Sequence, residues 1–275
     1  MILAVPRSGT NFFCECLDAF PEVTAYFELF NPAGAFGIGP QVLPVVAERL
    51  GVNDPSSHKD PRFAQAFRED PARSLRMLAE ASRSTGVSTI SYKIFPRQMS
   101  DEALGQLMQD DRRHVLFITR RRLDVFVSYL KARESGSWVR GSTADVLPAV
   151  NVDEFLSWAR ETDEWYAAGL DLARRYSKKI VIARYESDID RPKPEVVRRA
   201  SHALSQFGVH VTVPVEATGQ RFRRQDKRKR PFKKIANGPE LRDALRGRRK
   251  LKYALGAPLD RLADRYRFAS DQGQS

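Results

Sequence analysis

The chain has 275 residues, 42% of them apolar, and its 46 Lys plus Arg against 34 Asp plus Glu give a formal net charge of +12. That length suits one large domain or two small ones with a full core, and the spread of Phe, Leu, Val and Ile along the chain excludes the composition of a disordered protein. Apolar runs such as 115–119 and 180–183 fall far short of the roughly 18 to 20 residues needed to cross a bilayer, so no transmembrane segment is expected.

The first five residues read as a short buried strand, and 10–19 as a helix entered from the turn at 6–9. No basic leader precedes them, and the only cysteines, Cys14 and Cys16, are two apart on that helix and so point to different faces. A cytoplasmic protein without a structural disulfide is expected. The stretch 31–60 shows neither helical nor strand periodicity and is expected to be a long loop that binds an acceptor. Asp70-Pro71 supplies an N-cap with proline at the first helical position and Gly86 a stop, which predicts a helix over 71–85. A strand over 87–95 follows, then a helix opened by Ser100, a strand over 114–119 and a helix over about 123–134. Asn151 with Glu154 three residues on resembles a capping box, and Phe155, Trp158, Ala159, Trp165, Leu170 and Leu172 give an amphipathic helix to about Tyr176. Residues 180–184 make a fourth strand. Strands alternating with helices predict an α/β fold, a central parallel sheet flanked by helices, in a single domain over 1–275. In such sheets ligands bind at the carboxyl ends of the strands.

Charge is concentrated near the end. Residues 221–252 hold 15 Lys plus Arg against 3 Asp plus Glu, which leaves 31 of each sign in the other 243 residues. Cations at that density repel one another, so the segment is expected to be mobile until it meets an anion, and then to close as a lid.

The first strand ends in Val5-Pro6-Arg7-Ser8-Gly9-Thr10-Asn11. A glycine-bearing turn running into a helix start offers free backbone N–H groups and the positive end of the helix dipole to an anion. Arg7 adds a charge there, and Ser8, Thr10 and Asn11 add donors. Walker A spacing is absent, and no lysine follows Gly9. The third strand runs into Arg120-Arg121-Arg122-Leu123-Asp124, with Ser128 eight residues past Arg120, and the second ends on Lys93-Ile94-Phe95-Pro96.

Together these stretches resemble the sulfotransferases that use 3′-phosphoadenosine 5′-phosphosulfate (PAPS), over residues 1 to about 240. The resemblance implies a P-loop, nucleotide-kinase-like sulfotransferase architecture. It implies that Arg7, Ser8, Gly9, Thr10 and Asn11 hold the 5′-phosphosulfate and that Arg120 and Ser128 hold the 3′-phosphate. Lys93 then lies against the bond that breaks, and Tyr185-Glu186 matches a Y-E dipeptide that follows a later strand in the family. Animal and plant members carry a catalytic histidine two residues after the lysine, where this chain has Phe95. A bacterial branch, that of the trehalose and nodulation-factor sulfotransferases, has instead an E-x-F-N-P stretch, similar to Glu28-Leu29-Phe30-Asn31-Pro32, which makes Glu28 the expected base. That branch also has a basic Arg/Lys-Gln stretch followed by I-x-N-x-x-E-L. Arg224-Gln225-Asp226-Lys227 and 235–241 look similar, implying that Arg224, Gln225, Lys227 and Arg228 close over the phosphates.

The implied activity is sulfuryl transfer from PAPS to a hydroxyl of a carbohydrate, glycolipid or small alcohol, with Glu28, Lys93 and Arg7 as the catalytic set. A loose in-line displacement is served by positioning and positive charge. No metal is expected, because no Asp/Glu cluster is placed like a magnesium site and His58, His114, His202 and His210 lack ligand spacing. Trp138, in the loop 136–141, is expected to touch the acceptor, and Trp158 and Trp165 to pack. One alternative is a P-loop kinase or NTPase, which needs a Walker lysine and a metal carboxylate. Another is a nucleic-acid-binding protein using the basic segment, whose stacking candidates are Phe222, Phe232 and Tyr253; no module for specific recognition accompanies them.

Overall fold

The computed structural model of the chain describes every residue except 139–140, 216–218, 220, 223–224, 227, 229 and 269–275. It begins with β1 (Ile2–Ala4), a turn, and α1 (Thr10–Leu17), then β2 (Val23–Ala25) and α2 (Leu43–Arg49). Helices α3 (Pro61–Glu69) and α4 (Pro71–Arg83) start alike, each with proline in the first turn and an aspartate, Asp60 or Asp70, accepting a backbone N–H. Then come β3 (Thr89–Ser91), β4 (Lys93–Ile94), α5 (Asp101–Met108), β5 (Val115–Thr119) and α6 (Arg122–Ser135). The long α7 (Val152–Arg175), capped by Asn151, leads to β6 (Ile180–Arg184), a π-helical turn over Tyr185–Ile189 and α8 (Lys193–Gln206). Three short helices, α9 (Gly238–Gly247), α10 (Leu251–Leu255) and α11 (Asp260–Ala263), follow the basic segment.

The central sheet is parallel, in the order β4-β1-β5-β6. Period-two alternation splits its side chains between two cores. Leu3, Val5, Val115, Phe117 and Ile182 face a cluster that includes residues of α2 to α5 and α7. Ile2, Ala4, Leu116, Ile118 and Ala183 face one that includes residues of α1 and α8. A third cluster joins α6 and α7 to α9 and α10 through Phe126, Phe155, Leu241 and Leu245. The Tyr166 hydroxyl, on α7, donates to Ile118 O at 2.6 Å and accepts from Val5 N at 3.2 Å, fastening the carboxyl ends of β1 and β5 together.

Three expectations are corrected. The run 87–95 is two strands, because the chain changes neighbour at Tyr92: β3 pairs with β2 in a separate two-stranded sheet, and β4 pairs with β1. The stretch 31–60 is not a loop throughout: it contains α2 and buries Ala35, Ile38, Val46 and Val52 in the first core, and none of its side chains lines the cleft described below. From residue 238 on, the basic segment forms α9 and enters α10, packed on the third core by Leu241 and Leu245, and is not part of a lid. Cys14 and Cys16 are free thiols, both in the second core, where burial pushes each up to about 12.

Candidate functional site

The connection after β1 leads to one side of it, to β4, whereas the connection after β5 leads to the other, to β6. Such a reversal opens a crevice between the carboxyl ends of the two strands. Arg7 stands at one lip and Arg120 at the other, and Arg120 Nη1 donates to Arg7 O at 2.7 Å. A cleft of about 270 Å3 occupies this position.

The turn that forms its floor is left-handed at Arg7 (φ 73°) and at Gly9 (φ 86°). Glycine at position 9 has a second cause besides its dihedral: a Cβ there would lie 2.5 Å from the ring of Tyr185. The ring presses on the turn with one face while the Arg120 guanidinium sits 4.2 Å from its centroid. Ser8 is fully buried under the turn, and α1 starts at Thr10 with no side-chain cap, leaving its first N–H groups pointing at the cleft.

Lys93 supplies the lysine that the turn itself lacks. It is 2% exposed, enters from β4, and its ammonium bonds to Asn11 Oδ1 and to Thr10 Oγ1 at 3.5 Å. The rings of Phe27 and Phe95 lie 5.2 and 5.1 Å from it, so Phe95 serves as a wall of the lysine's chamber. Burial pulls the Lys93 ammonium below the ordinary lysine range, and the Cys14 and Glu28 groups oppose that shift. Glu28 Oε1 stands 3.6 Å from Lys93 Nζ. Its other oxygen accepts from Asn31 Nδ2 and Gln98 Nε2, both at 2.8 Å, and Gln98 is itself oriented because its Oε1 takes Phe95 N at 3.0 Å. One carboxylate oxygen is thus anchored and the other faces the lysine.

Arg7 Nε donates to Ser128 Oγ at 3.0 Å, and its terminal nitrogens reach Trp138 O and Gln225 Oε1. Burial, with the Arg120 charge beside it, pulls Arg7 down to about 10. The cleft is lined by six cationic and four carboxylate side chains. Lys131 takes Asp226 at 2.7 Å, Lys234 takes Asp124 at 2.6 Å, and Lys93 faces Glu28. Arg7 and Arg120 bond only to neutral groups among the described residues. Beside them, Arg120 Nε and Gln225 Nε2 are buried N–H donors with no acceptor among the described residues. Two adjacent guanidiniums that bond no carboxylate among the described residues, two buried donors and a helix start suit an anion with more than one negative charge.

Of the expected site residues, Arg7, Gly9, Thr10, Asn11, Glu28, Lys93, Arg120, Ser128, Tyr185 and Gln225 all line this cleft. Ser8 lies beneath it. Glu186, next to Tyr185, is drawn aside to accept Arg121 N at 3.1 Å. Arg228 is turned to Asp226 at 2.8 Å and is not part of the lining; Arg224 and Lys227 lie outside the described residues. Trp138 is 47% exposed at the rim, while Trp158 and Trp165 pack against the cores.

Several contributors escaped the motif reading. Lys131 is the clearest, since Asp124, Ser128 and Lys131 follow i, i+4, i+7 spacing and share a face of α6. Glu15 is another: its carboxylate accepts Arg221 N at 2.9 Å and Phe222 N at 2.9 Å and pairs with Lys193 at 3.1 Å, pinning the basic segment to α1. The described part of that segment is joined to the body of the protein through Glu15, Asp124 and Lys131. Among the described residues no helix is long and apolar enough to cross a membrane.

No protein-family model and no curated protein matches the chain.

Proposed function

We propose that the protein is a sulfotransferase that takes a sulfuryl group from PAPS and transfers it to the hydroxyl of a carbohydrate, glycolipid or small alcohol, without a metal. The observation that carries this reading is the unneutralised pair Arg7 and Arg120 at the β1/β5 crevice, with buried Lys93 delivered to the same helix start. In this scheme the turn 7–11 and Lys93 face the phosphosulfate. Arg120 serves the 3′-phosphate together with Ser128, whose oxygen already accepts from Arg7 and whose O–H is left to donate. As the bond from acceptor oxygen to sulfur forms and the bond from sulfur to the bridging phosphate oxygen breaks, Glu28 Oε1 takes the acceptor's proton and Lys93 meets the charge developing on the leaving oxygen. The nucleic-acid reading is weakened by the geometry, because Lys234 and Arg228 of the basic segment are already paired with Asp124 and Asp226.

Adenosine 3′,5′-bisphosphate is expected to stabilise the protein without added metal, by about 2.7 kcal/mol at one hundred times its dissociation constant. A thermal-shift series with the bisphosphate, ATP plus magnesium and a single-stranded oligonucleotide measures this. No shift with millimolar bisphosphate alongside a clear one with ATP-magnesium would overturn the sulfotransferase reading in favour of a kinase or NTPase.

Arg120→Ala is expected to weaken bisphosphate binding by roughly 1.5 to 3 kcal/mol, the worth of a hydrogen bond to a charged group. The residue stands past the end of β5 rather than in a core cluster, so its melting temperature should move little. Calorimetric titration giving equal affinity for variant and parent would put the 3′-phosphate elsewhere.

A further inference from the structure

A second cleft, of about 300 Å3, opens at the other edge of the sheet, where the strands begin. Among the described residues, four buried polar atoms of its lining, Ser91 Oγ, Tyr92 Oη, Arg113 Nη1 and His114 Nδ1, have no hydrogen-bond partner in ordinary geometry, with Arg113 and the Tyr92 hydroxyl in loose contact with each other. Tyr92 is 4% and Ser91 9% exposed, so water does not freely solvate them. Desolvated groups left without partners are rare in folded chains, and a cluster of them in one cavity calls for a partner from outside. Burial pushes the Tyr92 phenol up to about 12, which keeps it a neutral donor.

The charge around this corner is positive. Arg112 and Arg113 share one carboxylate, Asp110, which Arg112 holds at 2.9 Å and Arg113 only at 3.4 Å. Glu80, the other acidic residue of the lining, is taken by Arg49 at 3.0 Å, while Arg76 and Arg83 stand at the mouth. The amino group of Met1 donates to His114 O and is pulled down to about 5, by burial first and by Arg113 second, so the surplus belongs to the guanidiniums. Most of the remaining lining is hydrocarbon, with Leu75 from α4, Leu204 and Phe207 from the end of α8, and Leu116 from β5.

We infer that this cleft binds a small amphipathic carboxylate, its head accepting from Arg113, Tyr92 and Ser91 and its hydrocarbon body lying against Leu75, Leu204 and Phe207. A carboxylate matches a guanidinium flanked by hydroxyls, since all of them donate to it. An inorganic anion would leave the apolar half unfilled, and a neutral alcohol would leave the guanidinium unanswered.

Calorimetric titration with octanoate, octanol and butyrate tests the inference on the intact protein. Octanoate is expected to bind saturably at one site, and octanol and butyrate at least about tenfold more weakly. Saturating adenosine 3′,5′-bisphosphate should leave octanoate binding unchanged, because the two clefts lie at opposite ends of the strands; displacement would assign octanoate to the other cleft and overturn the inference. Tyr92→Phe removes a hydroxyl that makes only a loose contact with Arg113, so it should change the melting temperature little while lowering octanoate affinity about tenfold. Arg113→Met, which keeps the packing, should lower that affinity further. Octanol binding as tightly as octanoate, or both variants retaining the parent's affinity, would show that the polar corner recognises nothing.

Discussion

Replacing Asp226 with alanine is expected to cost about 3 to 5 kcal/mol, the usual consequence of removing one partner from a buried ion pair. Lys131 is 2% exposed and Asp226 9%, at 2.7 Å, and without the carboxylate the ammonium keeps only Thr143 O, at 3.0 Å. The same aspartate orients Arg228 and so holds two parts of the basic segment at once. Urea unfolding measures the loss, and limited trypsin digestion at Arg221 and Arg228 shows whether the segment lets go first. The double variant Lys131→Met with Asp226→Leu should recover most of the loss, because an apolar pair of similar volume removes the stranded charge. The dependence on pH has a definite sign. Burial alone would raise the Asp226 carboxyl, but hydrogen bonds from Arg228 and Lys131 more than offset it and hold it well below the ordinary range. The pair therefore contributes fully above the unfolded carboxylate value of about 4, and its contribution is lost as the pH falls below that. An Asp226→Ala variant as stable as the parent and no easier to cut would show that the pair does not fasten the segment.

Glu28→Gln is expected to lower sulfuryl transfer by about 10² to 10⁴, the range for losing a general base, while leaving bisphosphate affinity intact. The amide is nearly isosteric, and the hydrogen bonds from Asn31 and Gln98 fix the position that the anchored oxygen holds in the parent. The measurement is release of adenosine 3′,5′-bisphosphate from PAPS in the presence of a panel of sugars and alcohols, together with titration of the bisphosphate itself. Turnover within about threefold of the parent would remove Glu28 as the base. A parallel fall in bisphosphate affinity would assign it to donor binding.

The parts of the fold that were legible in sequence are those with a period or a cap. Asn151 and Asp70 cap the helices they were expected to open, and the alternation of strands and helices is that of the parallel sheet. Asp60-Pro61 has the same signature as Asp70-Pro71 and opens α3 in the same way, so that helix was equally legible yet absent from the expected elements. Residues 31–60 were not legible, because apart from the short α2 their buried side chains come from irregular backbone that carries no repeat. At the site, residues on strand ends could be named because the chemistry of each is local: a turn, a helix start, a strand-end cation. The Lys131–Asp226 and Lys234–Asp124 pairs join residues 95 and 110 apart, and nothing in the spacing of either partner announces the other.

Lys93 reaches the start of α1 only because Ile2 pairs with Lys93 and Leu3 with Ile94. Side chains alternate along a strand, so a slip of one residue between β1 and β4 would send the ammonium to the opposite face of the sheet. Its contacts with Asn11 and Thr10 bridge 82 and 83 residues of chain. The cleft therefore cannot be assembled from neighbouring pieces, and long-range strand pairing has to be complete, against its loop-closure cost, before the lysine arrives. Anion affinity at the β1/β5 crevice thus doubles as a built-in gauge of registry: a molecule that holds its ligand there is one whose sheet has closed in the correct frame.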